Sequence, residues 1–383
     1  MYKDVYGDSM ECDKTYESYI DYVNKCRNLI KNTFFTKDDL EFLSSGKDDN
    51  EINKIVRNHR LKMIDIKLEH TMRMIEQVIK INQKLEIKID LSLVIKVAVL
   101  YHDIGRISQS TWCNTFSDTI YKKMNMPFKD HGEEGYDIFL NNDFNVDDRY
   151  KPIISETILH HQDHHTQPKL NYRFDGGLKG INIDDIITGK YQLNDAEWQV
   201  ASLIVQLVAD IDKTDILYQH LSSDFEMIRD YVFDKSMDNL DIIAKNWGIS
   251  KSEILEYNEL VENEYKPGII KVPIKNISID KLEVPQYMKD MFYNDSWPDL
   301  KVLIQDKNWN FITMLWWRLS HFLNKISFTS TLVNIEESKL LEQIYEKIPV
   351  RLRVLVREAF EYAKEELVNH KIDENKGNLY LIK

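Results

Sequence analysis

The sequence predicts an all-α protein. Only 12 glycines and 8 prolines occur among 383 residues, so the chain has few of the residues that end helices and form turns. Apolar residues also recur at helical spacing over long stretches, most clearly in residues 52–85 and 195–221. Both observations favour long helices that bury their apolar faces against one another in a bundle.

The length and composition suit a large folded interior. Hydrophobic residues make up 43% of the chain and charged residues 30%, which are ordinary values for a globular protein. A chain of 383 residues exceeds what one hydrophobic core usually serves, so we expect one large domain or two fused ones. The net charge of −13 opposes general binding to nucleic acid or to an anionic membrane, whereas a small anionic substrate in a metal-lined pocket is compatible with it.

Cysteine usage and hydropathy predict the compartment. Cys12, Cys26 and Cys113 show no CxxC spacing, which indicates a reducing environment and argues against a thiolate metal site. The longest apolar run, residues 91–101, is too short to span a bilayer and contains Lys96. We therefore expect a cytoplasmic protein without a membrane partner.

Three parts follow one another along the chain. Residues 1–50 predict an N-terminal helical appendage with an exposed charged loop at SSGKDDN. Residues 51–230 hold the strongest chemical motifs and predict the catalytic core. Residues 231–383 predict a mostly helical C-terminal extension. The chain is thus expected to carry one helical core with a helical addition at each end.

The C-terminal extension has two features of its own. Residues 268–285 have β-propensity, which indicates a short hairpin or an extended arm. Trp316 and Trp317 lie in an aromatic helical segment, and we interpret them as core residues or as a contact in a homodimer.

In the first half of the core, the helix signals place histidines near helix ends. Residues 52–85 predict one or two helices with His70 on the second. Asp90 is a suitable N-cap for a buried, nearly all-apolar helix that ends at the Gly105 stop signal. This helix carries the pair His102-Asp103 at its C-terminal end.

In the second half, a helix is predicted to begin near Asp130, and residues 147–162 predict another that reaches the sequence HHQDHH. Residues 164–194 combine proline, paired glycines and weak periodicity, which predicts a loop or lid beside an active site. The helix predicted over residues 195–221 then carries Asp210, Asp212 and Asp215.

Histidines and aspartates recur at the ends of these predicted helices, in the order His70, His102-Asp103, His131, His160-His161 and Asp210. This order resembles the HD-domain superfamily of metal-dependent phosphohydrolases, whose signature is H…HD…D. The additional histidines resemble its di-metal branch, which includes the HD-GYP phosphodiesterases. The resemblance covers roughly residues 50–230, and LYHDIGR is its most specific sequence. It implies an HD-domain helical bundle as the fold of the core.

The resemblance also implies a binuclear metal centre. One divalent transition-metal ion would be held by His70, His102, Asp103 and Asp210, and a second by Asp103, His131, His160 and His161. A carboxylate can bridge two cations while neutral imidazoles fill the remaining positions. Iron or manganese is favoured, and nickel, cobalt, zinc and magnesium are alternatives.

The chemistry implied by such a centre is phosphoester hydrolysis. Two divalent ions about 3.5–4 Å apart activate a hydroxide and stabilise the entering and leaving oxygens at phosphorus. The expected substrate is a small phosphomonoester or phosphodiester, a nucleotide or cyclic nucleotide being favoured. Asp103 is then catalytic as the bridging carboxylate.

Two cations near these motifs fit a catalytic role as well. Arg106 lies three residues after Asp103, and Lys213 lies three residues after Asp210. By the resemblance each contacts substrate phosphate, with a surface salt bridge as the alternative. Asp212 and Asp215 are interpreted as solvated or structural, because one helix face cannot present three carboxylates to one cluster.

The sequence HHQDHH allows two histidine pairings. On a continuing helix, His160 with His164 and His161 with His165 would each form a pair at i, i+4. The superfamily pattern uses the adjacent pair, whose side chains differ by about 100° around the helix axis and converge only where the helix ends. Pro168 favours such an ending. We therefore predict His160 and His161 as ligands, and expect His164 and His165 to support a ligand or to face the substrate.

Two other functions stay open. HD-GYP proteins carry a glycine-tyrosine-proline element after their paired histidines, and HHQDHHTQPKLNYRFDGG contains none, so cyclic di-GMP is not indicated as the substrate. Some HD-domain proteins with nearly the same ligands hold two irons and act as oxygenases that cleave C–C or C–P bonds. Those oxygenases resemble this pattern with one histidine in place of the pair, which favours a hydrolase here. The third interpretation is an HD sensor or binding module without catalysis.

Overall fold

The structure is a computed structural model, and it describes residues 10–35, 49–112, 130–162, 178–218, 221, 284–293, 312, 315, 316, 318, 319, 326, 328–348 and 350–374. Every regular element among these residues is helical, which confirms the predicted all-α class. None of the described helices combines the length and the apolar character that crossing a membrane requires.

Two long helices come first. α1 spans Met10–Asn32 and α2 spans Asp49–Lys84, so the one or two helices predicted over residues 52–85 are a single helix. Of the predicted loop SSGKDDN, only Asp49 and Asn50 belong to the described residues, and they open α2. α1 packs against α2 and the helix that follows it.

The His-Asp pair lies at a break between two helices. α3 spans Ile89–Tyr101 and α4 spans Ile104–Gln109, with His102 and Asp103 between them. α3 is buried on nearly its whole circumference, so the break delivers the pair into the interior of the bundle rather than to its surface. The predicted burial of this segment is therefore confirmed.

The predicted ends of this segment are wrong. Lys88, not Asp90, is the N-cap of α3, and Asp90 lies in the first turn. Gly105 does not stop the helix, because it lies inside α4. The missing side chain of Gly105 instead permits a close contact with the backbone of a neighbouring helix.

α5 spans His131–Asn141 and α6 spans Lys151–His160. Asp130 caps α5, because its Oδ1 accepts a hydrogen bond from the backbone N–H of Glu133 at 2.9 Å. His161 is the C-cap of α6. Because α5 packs against α6, a histidine that opens one helix lies near a histidine that closes the other.

Two glycines allow α4, α5 and α6 to approach one another closely. A Cβ atom at Gly105 would lie 2.0 Å from the backbone oxygen of His131, and a Cβ atom at Gly132 would lie 2.6 Å from the backbone oxygen of Leu159. Atoms at these distances overlap, so a side chain at either position would force the helices apart. The two contacts hold the break after α3 next to His131 and His161.

The segment before the next helix is anchored to it. α7 spans Asp195–Tyr218, and the buried carboxylate of Glu197 accepts hydrogen bonds from the backbone N–H groups of Thr188 and Asn194, at 2.5 and 2.8 Å. Part of the predicted loop or lid, residues 178–194, is thus bound to the core. The rest of it, residues 164–177, lies outside the described residues.

The C-terminal helices share the core of the bundle. They are α8 at Gln286–Tyr293, α9 at Thr329–Glu337, α10 at Leu340–Lys347 and α11 at Arg353–Glu374. α9 packs against both α2 and α7. One continuous hydrophobic cluster of described residues runs from Tyr19 in α1 to Leu367 in α11, so these helices bury the same interior that the histidine-bearing helices do.

Trp316 belongs to this interior. Its residue surface is 1% exposed, its Nε1 donates a hydrogen bond to the backbone oxygen of Leu355 at 2.8 Å, and its ring packs edge-on against Phe292. The interpretation of Trp316 as a core residue is confirmed. Trp317 and residues 268–283 of the expected hairpin or arm lie outside the described residues.

The close contact at Gly105 predicts a large stability cost for Gly105→Ala. The added methyl group collides with backbone rather than with a side chain that can rotate, so we expect a loss of about 3 kcal/mol in the free energy of unfolding. Urea denaturation followed by circular dichroism measures it. Gly180→Ala is the comparison, because a Cβ there meets nothing within 4 Å and only the positive φ of 78° adds strain of about 1 kcal/mol. If both variants lost the same free energy of unfolding, the close contact at Gly105 would not be the cause of the loss.

Candidate metal centre

Four histidines converge where α2, the break after α3, α5 and α6 meet. The Nε2 atoms of His70 and His102 lie 3.2 Å apart, and the Nε2 atoms of His131 and His161 lie 3.1 Å apart. All four residues are buried, with at most 5% of their surface exposed. The interior of the bundle therefore holds two pairs of ring nitrogens that face each other.

Asp103 lies between the two histidine pairs. Its Oδ2 is 3.5 Å from the Nε2 atoms of both His70 and His102. Its Oδ1 is 3.6 Å from Nε2 of His131 and 3.8 Å from Nε2 of His161. One carboxylate thus presents one oxygen to each pair, which is the geometry that a bridging ligand needs.

α7 contributes Asp212, not Asp210, to this cluster. Oδ1 of Asp212 lies 3.2 Å from Nε2 of His70, whereas Oδ2 of Asp210 accepts a hydrogen bond from the backbone N–H of Phe328 at 2.8 Å. Residues two apart differ by about 200° around a helix axis, so these two aspartates lie on nearly opposite faces of α7. The assignment of Asp210 to a metal is corrected accordingly.

Asp215 holds the ring of His70 through Nδ1, the nitrogen that faces away from the cluster. Its Oδ2 accepts a hydrogen bond from Nδ1 of His70 at 2.7 Å, and its two oxygens accept hydrogen bonds from Arg73 at 2.8 and 2.7 Å. Asp212 and Asp215 are three residues apart and share one face of α7. Asp215 therefore has the structural role that was one of its two predicted interpretations. The interpretation of Asp212 as solvated or structural is wrong, because its carboxylate belongs to the cluster itself.

The outer nitrogens of two further histidines are fixed by backbone carbonyls. Nδ1 of His102 lies 2.7 Å from the oxygen of Val99, and Nδ1 of His161 lies 2.7 Å from the oxygen of Ile158. A carbonyl only accepts hydrogen bonds, so each Nδ1 carries a proton, and Nε2 is the ring nitrogen left to bind a metal ion. Burial lowers the pKa of His102 to about 4, which keeps this imidazole neutral at pH 7.

His70 has the opposite charge preference. Burial and the nearby ammonium of Lys67 lower its pKa, but hydrogen bonds to Asp212 and Asp215 outweigh them and raise the pKa to about 9. Burial alone would raise the pKa of both carboxylates, yet their hydrogen bonds to His70 hold the pKa of each below its usual value. At pH 7 the metal-free cluster therefore contains an imidazolium between two carboxylates.

Lys67 is a member of the site that the sequence analysis missed. Its Nζ lies 2.5 Å from Oδ2 of Asp103, and its side chain is 16% exposed. Burial alone would raise the pKa of Asp103, but Lys67 and the surrounding imidazoles hold that pKa well below its ordinary value. The available signal was helical spacing, since Lys67 precedes His70 by three residues and lies on the same face of α2.

Only one histidine of the pair at the end of α6 joins the cluster. His160 has a 39% exposed side chain, and its Nε2 lies 3.4 Å from a carboxylate oxygen of Glu156. It differs from His161 by about 100° around the axis, which turns it away from the interior. The prediction of His160 as a ligand is therefore corrected, while His164 and His165 lie outside the described residues.

Arg106 and Lys213 are both buried, with 8% and 5% of their surface exposed, so the alternative of a surface salt bridge is wrong for each. Arg106 donates a hydrogen bond to the side-chain oxygen of Gln109 at 3.1 Å. Nζ of Lys213 lies 3.7 Å from Oδ1 of Asp210. Their contact with substrate phosphate stays a prediction.

Among the described residues, two groups of side chains have the composition of a metal site. We call His70, His102 and Asp212 the His70 triad, and Asp103, His131 and His161 the His131 triad; in each, the potential ligand atoms lie within 4.8 Å of one another. Imidazole nitrogens and carboxylate oxygens together suit divalent iron, manganese, cobalt, nickel or zinc. Because inward-facing lone pairs in a buried site need a cation or a proton donor, the donor set fits divalent metal ions.

Comparison with known proteins agrees with this chemistry. The family model of the HD domain matches residues 68–217, a range that contains all six members of the two triads. The HD domain is typical of a superfamily of metal-dependent hydrolases, most of them phosphohydrolases. Searches of the curated proteins and of the solved structures each found no significant match.

The two aspartates of α7 provide a test of the ligand assignment. We expect Asp212→Asn to weaken metal binding at the His70 triad by at least about tenfold, because a charged oxygen ligand is lost. Asp210→Asn is the matched control, since its amide oxygen can still accept the hydrogen bond from Phe328. Isothermal titration with Mn²⁺ measures both. Weaker binding in Asp210→Asn with unchanged binding in Asp212→Asn would restore the original assignment.

The raised pKa of His70 predicts a pH dependence of metal binding. Below pH 9 a metal ion must displace the proton from Nε2 of His70, so the affinity of the His70 triad should rise about tenfold per pH unit as the pH approaches 9 and level off above it. Titrations in two buffers with different ionisation enthalpies count the released proton. Affinity that is independent of pH between 7 and 9, with no proton release, would show that His70 is neutral in the metal-free protein.

Proposed function

We propose that the HD domain matched at residues 68–217 is a metal-dependent phosphohydrolase with two divalent ions, one in each triad, acting on a small phosphoester such as a nucleotide or cyclic nucleotide. The observation that carries the proposal is the position of Asp103. Its two oxygens face two different histidine pairs at 3.5–3.8 Å, which is what a carboxylate shared by two cations must do.

The residues of the chain have distinct tasks in this proposal. His102 and His161 bind through Nε2, because Nδ1 of each is engaged by a backbone carbonyl. Asp215 and Arg73 fix the ring of His70 so that Nε2 faces the cluster. Two divalent ions supply Lewis-acid activation of a water molecule and stabilise the entering and leaving oxygens at phosphorus.

Positive charge from the chain itself supports an anionic substrate. Lys67 is bound to Asp103 and has a largely buried side chain, so its charge is little screened by solvent. Arg106 and Lys213 are proposed as further contacts of the phosphate, each from a buried position. Fixed cations of this kind stabilise charge on the nonbridging oxygens during phosphoryl transfer.

A second candidate function is an HD-type di-iron oxygenase. One observation favours it: only His161, not His160, reaches the cluster, and a single histidine at this point was the feature that separated the resembling oxygenases from the hydrolases. The hydrolase stays first because phosphohydrolases predominate among HD domains.

The test is a panel of phosphomonoesters, nucleotides and cyclic nucleotides, assayed with protein loaded with Mn²⁺ or Fe²⁺. We expect release of phosphate or of a nucleotide. We also expect Asp103→Asn to lower kcat by at least about a thousandfold, because both metal ions would lose the charged oxygen that faces them. Lys80→Met, which removes an exposed charge from the same helix as His70, is the control and should keep full activity.

Oxygen consumption decides between the two candidates. Loaded protein that leaves every phosphoester intact but consumes oxygen with an organophosphonate or a polyol would overturn the hydrolase and establish the oxygenase. A metal-loaded protein inactive in both assays would favour a sensor or binding module.

A further inference from the structure

The contact between Lys67 and Asp103 is one-sided. Nζ of Lys67 lies 2.5 Å from Oδ2, the oxygen that is 3.5 Å from the Nε2 atoms of both His70 and His102. The other oxygen, Oδ1, faces His131 and His161. The ammonium group therefore lies on the side of the His70 triad and not on the side of the His131 triad.

An ammonium and a divalent ion compete for the same oxygen. Two cations that share Oδ2 would lie within a few ångströms of each other, where their repulsion at low effective dielectric is strong. The 16% exposure of the Lys67 side chain limits the screening that water would provide. A metal ion in the His70 triad must therefore push the ammonium away from Asp103, whereas a metal ion in the His131 triad can use Oδ1 without moving it.

We propose that Lys67 is a resident counter-ion that makes the two triads load in order, the His131 triad first and the His70 triad second. The inference rests on the proposed function only in taking both triads as metal sites. Lys67 acts as a positioning residue in the metal-free protein, because it neutralises the buried Asp103 and keeps the carboxylate in place. Its displacement from Oδ2 is a condition for the second ion to bind, in addition to loss of the proton from Nε2 of His70.

The order has a consequence for the enzyme. At low free metal the centre holds one ion and Lys67 stays on Asp103, so hydrolysis that needs both ions is switched off. At higher free metal the second ion enters and the displaced ammonium becomes available to an anionic substrate in the same space. At a fixed pH, Lys67 would thus set the metal concentration at which activity begins.

The experiment is a titration of the full chain with Mn²⁺ at one pH, followed by calorimetry and by electron paramagnetic resonance, which distinguishes isolated from coupled Mn²⁺ ions. We expect two binding steps in the wild type, with the coupled signal appearing only in the weaker step. Lys67→Met should tighten the weaker step by at least about tenfold and leave the tighter step within about twofold, because only the His70 triad loses a competing charge. Lys67→Arg, which keeps the charge, should bind like the wild type.

Lys80→Met is the matched control, because it removes the same charge from α2 about 20 Å further along the helix and should change neither step. His102→Gln should abolish the weaker step, and His161→Gln should abolish the tighter one. Lys67→Gln repeats the measurement with a polar side chain if circular dichroism shows that Lys67→Met does not fold.

Two outcomes would overturn the inference: a weaker step that is unchanged or further weakened in both Lys67→Met and Lys67→Gln, or loss of the tighter step in His102→Gln. The inference and the proposed function fail separately. If no phosphoester is hydrolysed while Lys67→Met tightens the second step, the counter-ion role stands and the hydrolase does not. If phosphoesters are hydrolysed while that step is unchanged, the hydrolase stands and the counter-ion role does not.

Discussion

Burial of the Asp103 carboxylate is the constraint on which the rest of the site depends. An isolated charge in a protein interior costs many kcal/mol unless it is paired and hydrogen-bonded, and Asp103 is only 5% exposed. The chain satisfies it by bringing several helices to one point. Lys67 and His70 come from the middle of α2, and His102, His131 and His161 come from helix ends. The glycine contacts of α4 and α5 make that convergence geometrically allowed.

The same constraint extends outward from Asp103. Asp212 and Asp215 add two more carboxylates, and each is matched by a cation: His70 lies against both, and Arg73 closes the outer side of Asp215. Metal ions would replace the proton of His70 and the ammonium of Lys67 in this balance. The charges of the metal-free cluster are thus paired with one another, and under the inferred loading order only binding of the second ion would exchange one set of cations for another.

The C-terminal helices take part in this arrangement through α7. Asp210 binds the backbone N–H of Phe328, just before α9, while Asp212 on the opposite face meets His70. α9 also packs against α2, which carries Lys67 and His70. The extension therefore packs against two of the three elements that supply the His70 triad, α2 and α7, which gives these residues a structural reason to belong to the same bundle as the HD domain.

The sequence by itself determined the all-α class and the HD resemblance, because helical periodicity and the order H…HD…H…H are visible without a structure. That resemblance pointed to His70, His102, Asp103, His131 and His161. Which side chains face inward was decided only by the tertiary structure. His160 and His161, or Asp210 and Asp212, are equivalent in composition and differ only in angle around a helix axis. That angle decides whether a side chain reaches the cluster only after neighbouring helices have packed. For the same reason, Lys67 could be assigned to the site only from its contact with Asp103 in the folded structure.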